Sequence, residues 1–159
     1  MSKNVLIIGS GNAALSAGIA SLEKGSKVLI LEKGNAELAG GNTKYTAGAM
    51  RFTYKNKDDL IPLITNPDDK RLLKTDFGTY TKEKFSKDLL SFNDGNNLTQ
   101  EQIALVNYSY ETMLWLASHD IKFEPIYNRQ SFEKDGKDNH PAGKDFISIV
   151  RKFWERSKN

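Results

Sequence analysis

The chain contains no cysteine and only two histidines, His119 and His140, which lie far apart in the sequence. Disulfide bridges and cysteine-based metal sites are therefore excluded, and a histidine-rich metal cluster is not expected. Long apolar runs are missing as well. The longest near the start is Val5–Ile8, far below the roughly 20 residues of a membrane-spanning helix and too short for the core of a signal peptide. We expect a cytoplasmic protein without a membrane span.

An excess of charge of one sign is also lacking. There are 23 basic and 20 acidic residues, which leave a formal net charge of +3. Acids are interleaved with the lysines, as in the stretch 82–88, so a nucleic-acid-binding surface is not expected. A hydrophobic fraction of 38% in a chain of 159 residues indicates a globular protein of about one domain.

The first 32 residues have the pattern of a strand, a glycine turn, a helix and a second strand. Val5–Ile8 is a branched apolar run, which predicts a strand buried on both faces, as in a parallel sheet. A helix is expected from about Asn12 to Lys24, with Gly25 ending it in a left-handed conformation. The second strand covers Lys27–Glu32. Together these elements predict a right-handed βαβ unit with parallel strands.

The glycine turn of this unit has the chemistry of a dinucleotide-binding site. Gly9 permits the tight turn, and Gly11 lets the backbone approach a diphosphate closely. Ala14 takes the place of the third glycine of the G-x-G-x-x-G pattern, where a small residue lets the helix pack on the strand. The helix N-terminus offers free N–H groups and a partial positive charge to the phosphates. Glu32 ends the next strand and can accept hydrogen bonds from ribose hydroxyls, while its charge disfavours the 2′-phosphate of NADP.

The spacing alone leaves open whether the dinucleotide is FAD or NAD. A glycine turn in an α/β protein that binds no dinucleotide is the alternative. The segment Gly40–Thr43 is where the two cofactors are expected to differ. Its glycines allow backbone N–H groups to reach a flavin ring, and its threonine and asparagine can donate hydrogen bonds to ring heteroatoms. An ordinary flexible loop would have the same composition.

Beyond residue 50 the pattern predicts mainly helices. Residues 82–92 form one amphipathic helix, with Phe85, Leu89 and Phe92 on one face. A longer helix begins at Thr99, whose spacing to Gln102 is that of a capping box. Its predicted apolar stripe consists of Ile103, Val106, Tyr110, Met113, Leu114 and Ala117.

The remainder of the chain is expected to be less regular. Residues 58–67 form a short helix or turn that Pro62 interrupts. A turn and a short edge strand follow over Asp120–Pro125. Residues 134–139 then form a polar loop, and Lys144–Ser157 forms a final amphipathic helix.

Three segments resemble a known family. They are Val5–Gly18 (VLIIGSGNAALSAG), Val28–Lys33 (VLILEK) and Gly40–Thr43 (GGNT). They resemble the flavoprotein subunits of fumarate reductases and succinate dehydrogenases, the FAD-dependent oxidoreductase 2 family, and most of all the FAD-dependent tricarballylate dehydrogenases. Where this family often has a further glycine pair, the present chain has Ala47-Gly48-Ala49.

The resemblance implies non-covalent FAD, because no attachment histidine lies near residues 40–50. It also implies a set of cofactor-binding residues, shared between the diphosphate, the ribose and the flavin end. These are Gly9, Ser10, Gly11, Asn12, Ala13 and Ala14 for the diphosphate; Glu32 and Lys33 for the ribose and adenine; and Gly40, Gly41, Asn42, Thr43, Thr46, Ala47 and Gly48 near the flavin. No catalytic or metal-binding residue is implied.

The expected fold is α/β, an incomplete Rossmann-type FAD-binding domain. Residues 1–50 form the dinucleotide-binding βαβ unit and flavin loop, and 51–159 a mostly helical extension, without the family's substrate-capping domain. The parent activity implied is flavin-dependent oxidoreduction at CH–CH groups of carboxylic acids, and we expect the chain to be a fragment that is inactive alone. An NAD-binding Rossmann enzyme, a cofactor-binding fragment that needs a partner chain, and a degenerate remnant are the alternatives.

Overall fold

The structure is a computed structural model that describes residues 3–46, 48–94 and 96–125 in full, together with the backbone of three short strands within 132–148. It divides the chain into two compact units, Met1–Gly48 and Ala49–Asn159. The boundary lies two residues before the one that the sequence predicts at residue 50. Each unit is described by itself.

The first unit is the predicted βαβ unit. Strand β1 (Asn4–Ile8) leads into helix α1 (Asn12–Glu23), which is followed by strand β2 (Lys27–Leu31). The strands are parallel, with Val5 opposite Val28 and the other pairs in the same register. Gly25 ends the helix with a φ of 73°, as expected of a left-handed C-terminal residue. The α/β class and the parallel pairing are confirmed.

One face of this two-stranded sheet carries α1. The contact is made at Gly18, where an added Cβ would lie 3.6 Å from the terminal methyl carbons of Ile7 and Ile30 and 3.8 Å from a methyl group of Val28. Ile7 and Gly18 are the buried residues in the described part of this unit. A small residue in the middle of the helix therefore allows helix and sheet to pack closely.

The other face of the sheet is open, which corrects the prediction that the first strand is buried on both faces. Leu6 and Leu29 pair across the strands and are 58% and 60% exposed. Ile8 and Leu31 form the next pair and are exposed as well. The run of apolar residues identified a strand, but the residues that would cover its second face are not among its neighbours in the sequence.

The second unit contains most of the apolar core and begins with short elements. In chain order it contains β3 (Ala49–Met50), α2 (Lys57–Leu60), a 3₁₀ helix (Ile61–Leu63), α3 (Lys70–Lys74), β4 (Thr75–Asp76), α4 (Lys82–Leu90), α5 (Gln100–Ser118), β5 (Phe123–Pro125), β6 (Phe132–Lys134), β7 (Lys137–Asn139) and β8 (Phe146–Ser148). Strands β3, β8 and β5 form one antiparallel sheet in that order. Strands β4, β7 and β6 form the other, in which β4 and β7 are parallel.

The core of this unit, over the residues that the structure describes, is built from aromatic and aliphatic side chains of the helices, of β5 and of the loops between them. Its largest fully buried members are Tyr80, Phe123, Leu60, Leu63 and Leu72. Phe85 of α4 and Val106, Met113 and Leu116 of α5 join the same cluster. The helix and turn expected over 58–67 are thus present, with Leu60 and Leu63 as their buried anchors.

Helices α4 and α5 are confirmed, but their predicted buried faces are only half right. The capping box of Thr99 and Gln102 is present at the start of α5. Phe92 lies beyond the end of α4 and is 78% exposed, whereas Phe85 is buried. On α5, Ile103 and Leu114 are exposed, and Ser109 and Leu116 are buried instead. The periodicity identifies a helix more securely than the direction of its apolar face, because neighbouring elements determine that direction.

The C-terminal predictions need correction. The polar loop expected at 134–139 contains parts of two antiparallel strands, β6 and β7, in which Lys134 pairs with Lys137. The turn dipeptide Asp135-Gly136 between them was the available signal for a hairpin. Within the predicted final helix, residues 146–148 form strand β8, and the remainder of that helix lies outside the described residues. Over the part of the chain that the structure describes, no helix has the length and apolarity needed to cross a membrane.

Candidate functional site

The candidate site lies in the first unit, at the carboxyl ends of its two strands. Gly9 follows β1 with a φ of 95°, a conformation that side-chain-bearing residues rarely adopt. Its amide donates to the carbonyl of Leu31 at the end of β2, at 2.7 Å. No atom would lie within 4 Å of a Cβ added at Gly9. The glycine is therefore required by the backbone turn, and the space beside it is open.

The N-terminus of α1 points out of this turn without a side-chain cap of its own. Gly11 is the N-cap residue and offers no side-chain acceptor. The amide of Asn12 donates instead to Thr43 Oγ1 at 3.0 Å, from a loop 31 residues further along the chain. Among the described residues, nothing accepts a hydrogen bond from the amides of Ala13 and Ala14. The helix thus presents unsatisfied donors and the positive end of its dipole.

Glu32 stands beside this helix end, directly after β2. The Ser10 hydroxyl donates to Oε2 of Glu32, and the amide of Gly34 donates to Oε1 at 2.7 Å. The Ser10 hydrogen bond is the main cause that lowers the pKa of Glu32 below its ordinary value of 4.5, and the Gly34 amide adds to it. The carboxylate is therefore charged at neutral pH. Two oxygens with about four acceptor positions leave room for further donors, such as ribose hydroxyls.

The segment predicted to be the flavin loop returns to the same turn. Gly40 and Gly41 have φ values of 99° and 53° and lead into a 3₁₀ helix over Gly41–Tyr45. The amide of Gly40 donates to the Ser10 hydroxyl at 2.9 Å. A Cβ added at Gly11 would lie 3.4 Å from the Gly40 carbonyl oxygen and from Thr43 Oγ1. The absence of a side chain at Gly11, which the sequence predicts to favour close approach of a diphosphate, therefore also allows close approach of this loop.

The structure therefore brings most of the sequence-predicted residues to one place. The glycine turn, the start of α1, Glu32, Gly40 and Thr43 are joined by hydrogen bonds. Exposed Asn42 and Lys33 lie next to them in the chain. Thr46 lies further along the loop, where its hydroxyl donates to the carbonyl oxygen of Thr43 at 3.0 Å.

The end of the loop is described in part. The amide of Gly48 donates to Thr46 Oγ1 at 3.3 Å, and Gly48 itself has a φ of 70°. Ala47 lies outside the described residues. Thr46 and Gly48 thus belong to the continuation of the loop, and the hydrogen bonds to the glycine turn come from Gly40 and Thr43.

Sequence reasoning missed Gly34 and Asn35. Gly34 supplies the amide bonded to Glu32, and a Cβ there would lie 3.3 Å from Leu38 and from the Glu32 carboxylate. The Asn35 side chain accepts from the amides of Glu37 and Leu38 and so shapes the segment between strand and loop. A glycine and an asparagine two and three residues after Glu32 were the signal, because this pair is typical of a turn.

Three further residues that could serve catalysis lie in the second unit. Arg51 is close enough to Tyr80 to lower that residue's pKa, against the larger raising effects of burial and of the Asp88 carboxylate. His119 is the C-cap residue of α5, with its Nδ1 2.8 Å from the carbonyl oxygen of Trp115. This contact gives His119 a structural role at the end of the helix. His140 lies outside the described residues.

A helix N-terminus with open donors, a turn that only glycine adopts and a neighbouring carboxylate define a nucleotide-binding βαβ protein. Comparison with known proteins makes the class specific. The FAD binding domain family matches residues 4–142, and the chain belongs to this family. FAD is accordingly its cofactor.

Two curated relatives are similar over a shorter stretch. Both are named fumarate reductase (cytochrome), one from Shewanella frigidimarina and one from its strain NCIMB 400. Each is 32% identical to the chain over 65 residues, which amount to 41% of this chain and 11% of the relative. The chain thus spans a small part of the length of the relatives that it matches.

Proposed function

We propose that the first unit binds FAD without a covalent bond, in the manner of a Rossmann-type domain. The diphosphate lies at the N-terminus of α1, and Glu32 accepts hydrogen bonds from the adenosine ribose. The observation that carries this proposal is the position of an ionised carboxylate, fixed by Ser10 and Gly34, beside a helix end whose Ala13 and Ala14 amides have no acceptor among the described residues.

The remaining predicted residues are assigned by their place along the loop. Lys33 follows Glu32 in the chain and would lie beside the ribose and adenine. Gly40–Thr43, with Thr46, Ala47 and Gly48, would lie toward the flavin. Non-covalent attachment is favoured because residues 1–48 contain no histidine or cysteine.

The proposed reaction class is flavin-dependent oxidoreduction at a CH–CH bond next to a carboxylate, with a dicarboxylate or tricarboxylate as substrate. The similarity to the fumarate reductases supports it. When bound, FAD supplies the electron chemistry, and the protein contributes position and electrostatics. Residues 1–48 contain no arginine and no histidine. Carboxylate binding and proton transfer would therefore need residues outside the first unit, in the second unit or on another chain.

The cofactor proposal is tested by titrating the purified chain with FAD and, separately, with NAD. We expect FAD to bind with a shift of its visible absorbance band and NAD to bind much more weakly. Glu32→Gln, which removes the charge but keeps the shape, should weaken FAD about tenfold or more, as expected for hydrogen bonds to a charged acceptor. Glu37→Gln is the matched control, because Glu37 lies on the same segment and its side chain is exposed. Equal affinity for both cofactors, or no effect of Glu32→Gln, would refute the proposal.

The reaction class is tested with the reconstituted chain. Chemically reduced FAD bound to the chain should not be reoxidised by fumarate or by an unsaturated tricarboxylate faster than free reduced FAD, if the residues that bind carboxylates lie on another chain. Substrate-dependent reoxidation by the chain alone would overturn this expectation and show that the chain itself supplies those residues.

The open face of the β1–β2 sheet supports the idea that the functional protein contains a further chain. Parallel sheets are normally covered on both faces, and four aliphatic side chains are exposed here. We propose that a second polypeptide packs on Leu6 and Leu29. The double variant Leu6→Thr and Leu29→Thr should abolish association with that chain and leave FAD affinity within about twofold. Leu73→Thr, at an 81% exposed leucine of the second unit, is the control. Unchanged association would contradict this proposal.

A further inference from the structure

The Ser10 hydroxyl occupies the centre of the candidate site without being part of the glycine pattern. It donates to Oε2 of Glu32 and accepts from the amide of Gly40 at 2.9 Å. A hydroxyl has one proton to donate, and here that proton is directed at the carboxylate because the Gly40 amide occupies an acceptor position. One side chain therefore connects the end of β2 with the start of the loop.

We infer that Ser10 is a positioning residue, whose hydroxyl orients the Glu32 carboxylate for the ribose and holds the Gly40 loop against the same turn. This inference rests on the proposed binding of FAD and deepens it. Glu32 is otherwise an exposed side chain with free rotation. Each of its two oxygens is held by a hydrogen bond, Oε2 by Ser10 and Oε1 by the Gly34 amide, so that the remaining acceptor positions keep a defined direction.

The second link between loop and turn makes the arrangement cooperative. Thr43 accepts from Asn12 at the start of α1, three residues after Gly40 bonds to Ser10. Each hydrogen bond restricts the motion of the loop at the other one, because Gly40 and Thr43 are only three residues apart. Loss of one should therefore weaken both. Removal of the Ser10 hydroxyl should therefore release Glu32 and loosen the loop together.

The preference for ADP over 2′-deoxy-ADP tests whether Ser10 positions Glu32 or only stabilises the fold. The probes are ADP and 2′-deoxy-ADP, titrated by calorimetry against the full chain. The unaltered chain should prefer ADP by about tenfold, as expected for a hydrogen bond to a charged acceptor. Ser10→Ala should reduce that preference to about twofold, because the released carboxylate no longer meets the hydroxyl in a fixed direction. Ser10→Thr, which keeps the hydroxyl, should retain most of it.

Ser21→Ala is the matched control. Its hydroxyl donates to the carbonyl oxygen of Ala17 within α1, at 2.7 Å, and is remote from the carboxylate. A Ser10→Ala variant that binds both probes equally more weakly, with the preference intact, would overturn the inference and leave the proposed function standing. Failure of the unaltered chain to bind FAD or ADP would overturn both.

Amide hydrogen exchange without any ligand gives a second test that does not need tight binding. In Ser10→Ala the amides of Gly40 and Gly34 should exchange faster, the first directly and the second through release of Glu32. The amide of Leu38, which donates to Asn35, should be unchanged. Faster exchange of Gly40 alone would show that Ser10 does not position the carboxylate.

Discussion

Gly18 offers a test of helix–sheet packing in which the same substitution has opposite effects at two glycines. An alanine at Gly18 would place its Cβ 3.6 Å from Ile7 and Ile30 and 3.8 Å from Val28, which are ordinary contact distances. The methyl group therefore fits. Alanine is also favoured over glycine inside a helix by about 0.8–1.0 kcal/mol. We expect Gly18→Ala to stabilise the first unit by about 1 kcal/mol.

Gly25→Ala is the counterpart. A methyl group at Gly25 would meet no atom within 4 Å, but the φ of Gly25 is 73°. A side-chain-bearing residue there costs about 1–2 kcal/mol, because its Cβ crowds the following carbonyl group. The two variants thus add the same methyl group and differ by about 2 kcal/mol or more in their effect.

The assay is amide hydrogen exchange on β1 and β2, which reports on the first unit separately from the larger core of the second. A gain of about 1 kcal/mol slows exchange about fivefold. Gly18→Leu serves as the overpacking control and should accelerate exchange, since overfilled contacts cost about 1–3 kcal/mol. Faster amide exchange in Gly18→Ala would refute this packing. It would mean that α1 lies closer to β1 and β2 than the 3.6–3.8 Å contacts at Gly18 indicate.

Three further outcomes are expected. Ser109→Ala should destabilise the second unit by about 1–3 kcal/mol in thermal unfolding, because the buried amide of Thr53 loses its acceptor. Asp120→Gly should stabilise it by roughly 0.5–1 kcal/mol, because Asp120 follows α5 with a φ of 62°. Since hydrogen bonds from Ser10 and Gly34 lower the pKa of Glu32, the contribution of its carboxylate to folding and FAD binding should be fully present above pH 4.5 and lost only as the pH falls through the lowered pKa.

Each of these has its own control. Ser118→Ala, at an exposed hydroxyl near the end of α5, should change stability by less than about 0.5 kcal/mol. An equal loss in both serine variants would contradict the role given to the Thr53 amide. A less stable Asp120→Gly would contradict the helix end described here. FAD affinity that already declines between pH 7 and pH 5 in the unaltered chain, but not in Glu32→Gln, would contradict the lowered pKa.

The sequence predicts local elements of this chain well where local chemistry determines them. The glycine turn, α1, the parallel pairing of β1 with β2 and the Thr99 capping box depend on residues that are close in sequence, and all are present. For Ser10 and Gly40, the sequence predicts only that both belong to one cofactor-binding site. The hydrogen bond between them joins residues 30 positions apart, and no pattern within either segment specifies it.

Burial and the C-terminal strands could not be predicted in this way. Leu6 belongs to a run that is typical of a strand buried on both faces, yet its exposure depends on which elements pack against the sheet. Residues 146–148 belong to a stretch whose apolar residues have helical spacing, but they pair with β3 and β5, which lie elsewhere in the chain. Such pairing satisfies backbone groups through distant partners, a choice that local propensity does not determine.

The hydrogen bond from the Asn12 amide to Thr43 has a consequence for the proposed binding of a diphosphate at the start of α1. The amide of Asn12, the first residue of α1, already has an acceptor within the molecule, and this hydrogen bond joins the helix end to the loop. A phosphate oxygen that arrives there must displace the threonine or share its hydroxyl. In this proposal, FAD binding replaces the Thr43 hydroxyl by a phosphate oxygen as the acceptor of the Asn12 amide. We expect the rate of binding to depend on how fast the hydrogen bond to Thr43 breaks.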